Sequence, residues 1–239
     1  MSNVWQKRRM KFKGFLNQAK SYALLRHSSW NEKKLKDLIA ANQIQRLHVG
    51  CGDILLKDWL NIRYEVREEY GALKREDDKF LLNYNLLKAW PVADNSIEFI
   101  AGSHFIEHID LNQGLEFARK SFQALRSGGV LRLSCPDLEL YAKNYVEGNH
   151  DFYNHDLIRE WCAFPKAETP GEIFAAKAYD SGGSHKWFYD FASLKHIMEK
   201  AGFSDVKKMG RLEGKTPDLE SLELAGRELE TVYVEGVKA

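Results

Sequence analysis

Cysteine is scarce in this chain of 239 residues: Cys51, Cys135 and Cys162 stand far apart and are odd in number. That argues against a disulfide framework and against a thiolate-rich structural zinc site, and it fits a reducing, cytoplasmic setting. Charge of one sign is also in short supply, with 35 lysines and arginines against 34 aspartates and glutamates. The molecule as a whole therefore lacks the basic surplus of a general nucleic-acid binder, and no nucleic-acid partner is expected. No apolar run approaches a membrane-spanning length. Arg8-Arg9 followed by Phe12 has the outline of a twin-arginine export signal, but Asn17, Gln18, Lys20 and Arg26 interrupt the apolar stretch such a signal needs. Internal repeats and low-complexity segments are likewise missing.

What is present is enough apolar residue, 44% of the chain, to bury one sizeable α/β core. The charge that exists is unevenly placed. Residues 1 to 26 carry +7 with no acid, leaving −6 for the remainder against +1 overall. Trp5, Phe12, Leu16, Ala19 and Ala23 recur there at roughly helical spacing, so a basic amphipathic helix is expected. It either packs on the domain or contacts an anionic partner or the inner face of a membrane, peripherally. Ser29-Trp30-Asn31-Glu32 is a capping-box pattern that predicts a second helix to about Ala41. Residues 1–43 thus read as a helical arm, and 44–239 as the main domain.

Ile44 to Val49 is short, largely apolar and ends in Gly50-Cys51-Gly52-Asp53, the pattern of a buried strand stopping at a tight turn. Further strands are expected at Trp59 to Ile62, Phe80 to Tyr84, Ile97 to Ala101, Val130 to Cys135, Asp205 to Lys208 and Thr231 to Val237. A helix is expected over Leu115 to Leu125, closed by Arg126-Ser127-Gly128-Gly129. Alternating strands and helices imply a mainly parallel sheet covered on both faces, with ligands bound beyond the strands' carboxyl ends. The aromatic-rich stretch at about 138–190 is too long for a mere connection and reads as an acceptor-side insert.

Gly50 and Gly52 let the backbone reverse and approach a ligand closely. Leu55 stands where a dinucleotide fold would want a third glycine or alanine, and no Gly-Lys-Ser/Thr follows, so nicotinamide, flavin and P-loop nucleotide readings are disfavoured. The ordered series Leu47-His48-Val49-Gly50-Cys51-Gly52-Asp53, Trp59-Leu60-Asn61-Ile62, Trp90-Pro91 with Asp94-Asn95-Ser96, Ser103-His104-Phe105-Ile106-Glu107-His108, Gly128-Gly129-Val130-Leu131-Arg132-Leu133 and Pro136-Asp137 resembles the class I S-adenosylmethionine-dependent methyltransferases. It is most similar to a bacterial subfamily that often accompanies surface-polysaccharide genes. His185-Lys186-Trp187-Phe188-Tyr189-Asp190, Ala201-Gly202-Phe203 and Tyr233-Val234-Glu235 extend the likeness over roughly residues 44 to 237. The resemblance implies a Rossmann-like α/β fold, with a seven-stranded mainly parallel sheet whose last strand is antiparallel and with helices on both faces. It also implies S-adenosylmethionine as cofactor, held by Gly50, Cys51, Gly52, Arg63, Glu65, Asn85, Leu86, Ser103 and His104.

One position departs from that pattern. Family members usually carry an aspartate after the second strand, which accepts hydrogen bonds from the cofactor's ribose, whereas Arg63 can only donate. Losing a charged acceptor should cost about 1.5–3 kcal/mol. Glu65, two residues on in an extended chain, is a candidate substitute, and Asn85 can still read an adenine edge. A chain that binds an altered cofactor, or none, is the alternative.

Methyl transfer needs an acceptor held in line with the methyl and, for a hydroxyl, a base. His104, Glu107 and His108 would share one face of a helix, and His104, His108 and His185 are the candidate catalytic residues. His104 and His108, at a helix start, can also be read as structural hydrogen-bonding residues. Trp161, Trp187 and Tyr189 are candidates for a saccharide or other small-molecule acceptor, or, for Trp187, an anchor of the insert. His104-Phe105-Ile106-Glu107-His108 also spells the His-x-x-Glu-His of inverzincin peptidases. That reading needs a helix and a further carboxylate ligand, and with this series around it no metal is expected.

Overall fold

The computed structural model describes residues 32–239 except 66, 67, 69, 72, 77, 89, 163 and 165, and the basic helix expected over 1–26 lies outside them. The first described helix, α1 (Glu32–Ala41), buries Leu35 and Ile39 and hands the chain to β1 (Arg46–Val49). There follow β2 (Leu60–Arg63), β3 (Leu73–Glu76), β4 (Lys79–Asn83) and β5 (Ile97–Ser103). After a 3-10 turn at Ile106–His108 come α2 (Leu111–Ala124) and the long β6 (Leu125–Pro136). Four helices then run in succession: α3 (Leu138–Val146), α4 (His150–Asn154), α5 (Asp156–Glu160) and α6 (Pro170–Gly183). The chain closes with α7 (Phe191–Ala201), β7 (Ser204–Met209), α8 (Leu219–Leu222), a 3-10 turn at Arg227–Leu229 and β8 (Thr231–Val237).

The strands form one sheet in the order β3-β4-β2-β1-β5-β6-β8-β7. β4, β2, β1, β5 and β6 pair in parallel, while β8 runs antiparallel to both of its neighbours. This is the expected doubly wound α/β architecture with its last strand reversed. It has eight strands, not seven, because the short β3 pairs antiparallel on the outer edge of β4. Central strands read as near-continuous apolar runs because both their faces are covered: Leu47, Val49, Leu60, Ile100, Leu131 and Leu133 are fully buried.

The helix expected over Leu115 to Leu125 starts earlier, where Asp110 and Gln113 form a reciprocal capping box. Its end also differs from expectation. Gly128 and Gly129 do not close the helix; they belong to β6, where the register against β5 shifts between Ile97 and Phe99, and the Gly128 N–H donates to the Lys238 carbonyl. Gly128 adopts φ +78°, so the two glycines serve a bulge in a strand.

The long aromatic stretch is helical and has a small core of its own. Tyr141, Tyr153, Ile158, Ala167 and Ile173 are buried together, with Phe152, Phe174 and Phe188 against them. It is tied to the sheet by a buried ionic group in which Glu230, fully buried ahead of β8, accepts from Lys177 of α6, from Tyr141 of α3 and from Arg227.

Candidate functional site

The chain leaves β1 toward β2 and β4 on one side, then returns to start β5 on the other, so strand order reverses between β1 and β5. At this kind of position an open parallel sheet has a crevice beyond its strands' carboxyl ends. The turn at Gly50-Cys51-Gly52 lies here. Gly50 (φ +67°) is forced to be glycine by packing as well as by conformation, because a Cβ would lie 2.8 Å from Phe105 Cβ. Gly52 (φ +53°) is different, since a Cβ there would meet nothing within 4 Å. Bare main chain therefore faces open space at Gly52.

Beneath the turn a buried polar pair fixes its shape. Asn61 on β2 accepts from the Leu56 N–H and donates to the Leu56, Trp59 and Phe80 carbonyls, and it bonds His48 Nδ1 at 3.1 Å. Burial pulls the His48 pKa down to about 4, against a smaller opposing effect of the Asn61 bond. The imidazole is thus neutral. Burial likewise pushes the Cys51 thiol up to about 12, so Cys51 packs and does not react.

Two cavities border the turn, and a third shares walls with both. The largest, about 600 Å³, is bordered by Gly50, Arg63, Tyr84, Asn85, Leu86 and Phe105. A second, about 170 Å³, lies against His48, Cys51, Gly52, Ser103 and His104 and is closed from the other side by Leu222, Leu224 and Arg227. The third, about 190 Å³, is lined by His104, Glu107, His108, Trp161, Lys177 and His185, among others. Gly50 separates the first two, His104 the second and third, and His108 the first and third.

Most residues expected to hold a cofactor border the first two cavities: Gly50, Cys51, Gly52, Arg63, Asn85, Leu86, Ser103 and His104. Glu65 does not. β2 stops at Arg63, so side-chain alternation does not carry on to Glu65, which is exposed while its main chain is clamped by Asn83. The acid that meets Arg63 is Glu68, at 2.5 Å, and Arg63 also donates to the Gly52 carbonyl at 3.3 Å and lies 3.7 Å from Asp53. Arg63 therefore braces the glycine turn with its charge largely answered. Asn85 spends its amide oxygen on the Leu87 N–H in a local turn.

His104, Glu107 and His108 do not share an α-helical face. His104 adopts φ +52° at the strand end, and only residues 106–108 are helical, in a 3-10 turn. This removes the helix on which the peptidase pattern depends. Both ring nitrogens of His104 are engaged, Nδ1 with Glu107 Oε1 and Nε2 with Thr231 Oγ1, each at 3.1 Å. His104 is accordingly a positioning residue for Glu107. Glu107 is 1% exposed and its Oε2 has no partner in the protein. Burial would raise its pKa, but the His104 hydrogen bond together with the nearby imidazoles holds it at about 2. His108 Nδ1 lies 3.2 Å from the Ser184 carbonyl and His185 Nδ1 2.8 Å from the Lys177 carbonyl, the two rings meeting edge to face 5.0 Å apart.

Of the aromatic candidates only Trp161 borders the third cavity, with the Arg227 guanidinium 4.2 Å over its ring. Trp187 is partly exposed and lines none of the three cavities; its N–H donates to the Glu107 carbonyl. Tyr189 is fully buried against Gly114 of α2, where any side chain at 114 would collide with its hydroxyl, so it is a core residue and cannot meet an acceptor. Sequence reasoning missed Glu68, the Asn61–His48 pair and the wall formed by Leu222, Leu224 and Arg227. A polar residue inside an apolar strand, as in Leu60-Asn61-Ile62, was the available signal for Asn61.

No protein-family model matches the chain, and no curated protein matches it. Among solved structures it is similar to a SAM-dependent methyltransferase of Thermotoga maritima, at 16% identity and TM-score 0.48 over 96% of this chain and 99% of that one. It is also similar to a SAM-dependent methyltransferase of Archaeoglobus fulgidus, at 14% identity and TM-score 0.45 over 87% and 95% of the two chains. A third is phosphoethanolamine N-methyltransferase 2 of Haemonchus contortus in complex with S-adenosyl-L-methionine, at 12% identity and TM-score 0.44 over 81% and 48%. Similarity at this level assigns neither ligand nor activity to this chain, for which its own sheet order and glycine turn are the guides.

Proposed function

We propose that this chain is an S-adenosylmethionine-dependent methyltransferase. The observation that carries the reading is the open space over Gly52, at positive φ, in the crevice where strand order reverses. The surroundings fit the cofactor by chemistry. A cavity of about 600 Å³ with apolar walls at Leu86 and Phe105 and amide groups at Asn85 suits an adenosine. Arg63 donates to ribose oxygens in place of an acid that would accept from them, and Glu68 keeps it from being an unanswered cation. That pairing disfavours a cofactor bearing an extra anionic group at this point. When bound, the cofactor supplies a methyl on a sulfonium, and the chain's task is to hold an acceptor in line with it and exclude water.

The acceptor belongs at the third cavity. Glu160, Lys177, Arg227 and the three histidines make its walls polar, and Glu230 pairs with both Lys177 and Arg227. Such walls suit a hydroxyl of a saccharide or phosphorylated saccharide better than an apolar acceptor, and O-methylation is the reaction we assign. His108 and His185 each have Nδ1 against a main-chain carbonyl, which puts the ring proton there and leaves Nε2 unprotonated.

Calorimetric titration with S-adenosylmethionine and S-adenosylhomocysteine tests the reading. The native protein should bind both with one site, and Arg63→Asp, which unbraces the turn and sets a carboxylate beside Glu68, should bind more weakly. Absence of binding by the native protein would sink the proposal, and tighter binding by Arg63→Asp would mean a pocket moved away from the ordinary cofactor. Among the described residues no helix is long and apolar enough to cross a membrane. The +7 arm of residues 1 to 26 would bring the enzyme to anionic, lipid-linked acceptors. Its deletion should abolish sedimentation with vesicles containing anionic phospholipid, and unchanged sedimentation would rule that role out.

A further inference from the structure

We infer that Glu107, His108 and His185 bind a divalent transition-metal ion of the zinc class beside the third cavity. Each of the three offers one ligand atom, and these atoms lie within 4.8 Å of one another. Two imidazoles and a carboxylate are a donor set that zinc accepts, leaving a fourth position for water or substrate. Bonds of about 2.0–2.1 Å would bring tetrahedral ligand atoms to about 3.3 Å apart. Small side-chain rotations close that gap, and His108, which is exposed, can make the largest of them.

Three independent features point to an ion and not to a chance grouping. Glu107 is nearly inaccessible, yet its Oε2 has no partner among protein groups, a costly arrangement for a buried charged oxygen. Its other oxygen is already fixed by His104, which is itself fixed by Thr231. Both imidazoles direct Nδ1 at a backbone carbonyl, the outer contact that orients metal-bound histidines and leaves Nε2 as the donor. The ligands also come from two parts of the chain that meet only in the fold, since the Lys186 and Trp187 N–H groups donate to the Glu107 carbonyl and hold His185 against the 3-10 turn.

This is not the His-x-x-Glu-His peptidase arrangement. His104 is not a ligand here, and the second imidazole comes from His185, 77 positions after His108 by numbering. Placed between the crevice and the third cavity, the ion would lower the pKa of a coordinated acceptor hydroxyl. The binding itself does not depend on the methyl-transfer reading.

The full chain, stripped with chelator and dialysed, is titrated calorimetrically with Zn²⁺ and separately with Co²⁺, whose visible absorption reports imidazole and carboxylate coordination. One equivalent should bind. His108→Ala and His185→Ala should each weaken binding at least 10-fold and shift the Co²⁺ spectrum, as should Glu107→Gln if it folds. His196→Ala, at an exposed position of α7, should match the native protein. His108→Ala alters an exposed side chain, so far-UV circular dichroism should stay native. No uptake by the native protein, or uptake that both histidine substitutions leave unchanged, overturns the proposal. S-adenosylhomocysteine binding measured on the same stripped protein separates this result from any failure of the cofactor reading.

Discussion

At the scale of single residues, the two glycines of the turn have different tasks. Gly50 is needed by the protein, because Phe105 occupies the place of its missing side chain; Gly52 faces open space. Gly50→Ala should therefore lower stability, by about 1–3 kcal/mol from overpacking plus about 1–2 kcal/mol for a side chain at positive φ. Gly52→Ala should lose only the latter amount in thermal or urea unfolding, yet weaken S-adenosylhomocysteine at least 10-fold. Equal losses of stability with unaltered binding would deny Gly52 its role. Both glycines were legible in the sequence as a strand-ending turn. Arg63 was legible as an anomaly but not as a brace, because its partner Glu68 lies on a loop whose course depends on Asn83, not on strand alternation.

At the scale of elements, strands were easier to read than what joins them. Apolar runs bounded by glycine or polar residues located β1, β2, β4, β5 and β8 to within two residues and β6 from Val130 onward, and β7 was located although only Val206 and Met209 in it are apolar. The edge strand β3, Leu73-Lys74-Arg75-Glu76, has almost no apolar character to announce it. The helices α3 to α6 were hidden for another reason: their buried faces pack on one another, so their aromatic residues look like an irregular insert. The Asn61–His48 pair shows how a strand can carry a pH response. His48 has a native pKa of about 4 against 6.5 when unfolded. Between those values the unfolded chain binds the proton and the native protein does not, so stability is intact above about pH 6.5 and falls as the pH drops toward 4. The loss should approach about 3 kcal/mol, read as the urea midpoint between pH 7 and pH 4.5. His48→Gln should flatten this part of the profile, and an unchanged slope would remove His48 as its source.

At the scale of the whole molecule, buried charges fasten loops that wall the crevice. Arg132, 1% exposed in the middle of β6, pairs with Glu223 at 2.6 Å and Glu235 at 3.3 Å and donates to the Gly210 and Glu213 carbonyls. It thereby anchors the connection between β7 and β8, from which Leu222, Leu224 and Arg227 reach the second cavity. Arg132→Ala leaves two buried carboxylates without their cation and should cost about 3–5 kcal/mol, with a fall in Tm of about 2–4 °C for each kcal/mol. A shift under 2 °C by calorimetry would contradict this. The sequence shows only an arginine in an apolar strand; the acids that answer it lie 91 and 103 positions away. Long-range pairing of this kind, like the meeting of His108 with His185, is settled by topology and not by any local pattern.

The most direct measurement is a crystal structure of the full chain grown with S-adenosylhomocysteine in excess. The account predicts the adenosine between Arg63, Asn85, Leu86 and Phe105, with the amino-acid end lying over Gly52 toward Ser103 and His104. Density for the ligand elsewhere, or a crevice that remains empty at saturating ligand, would contradict it.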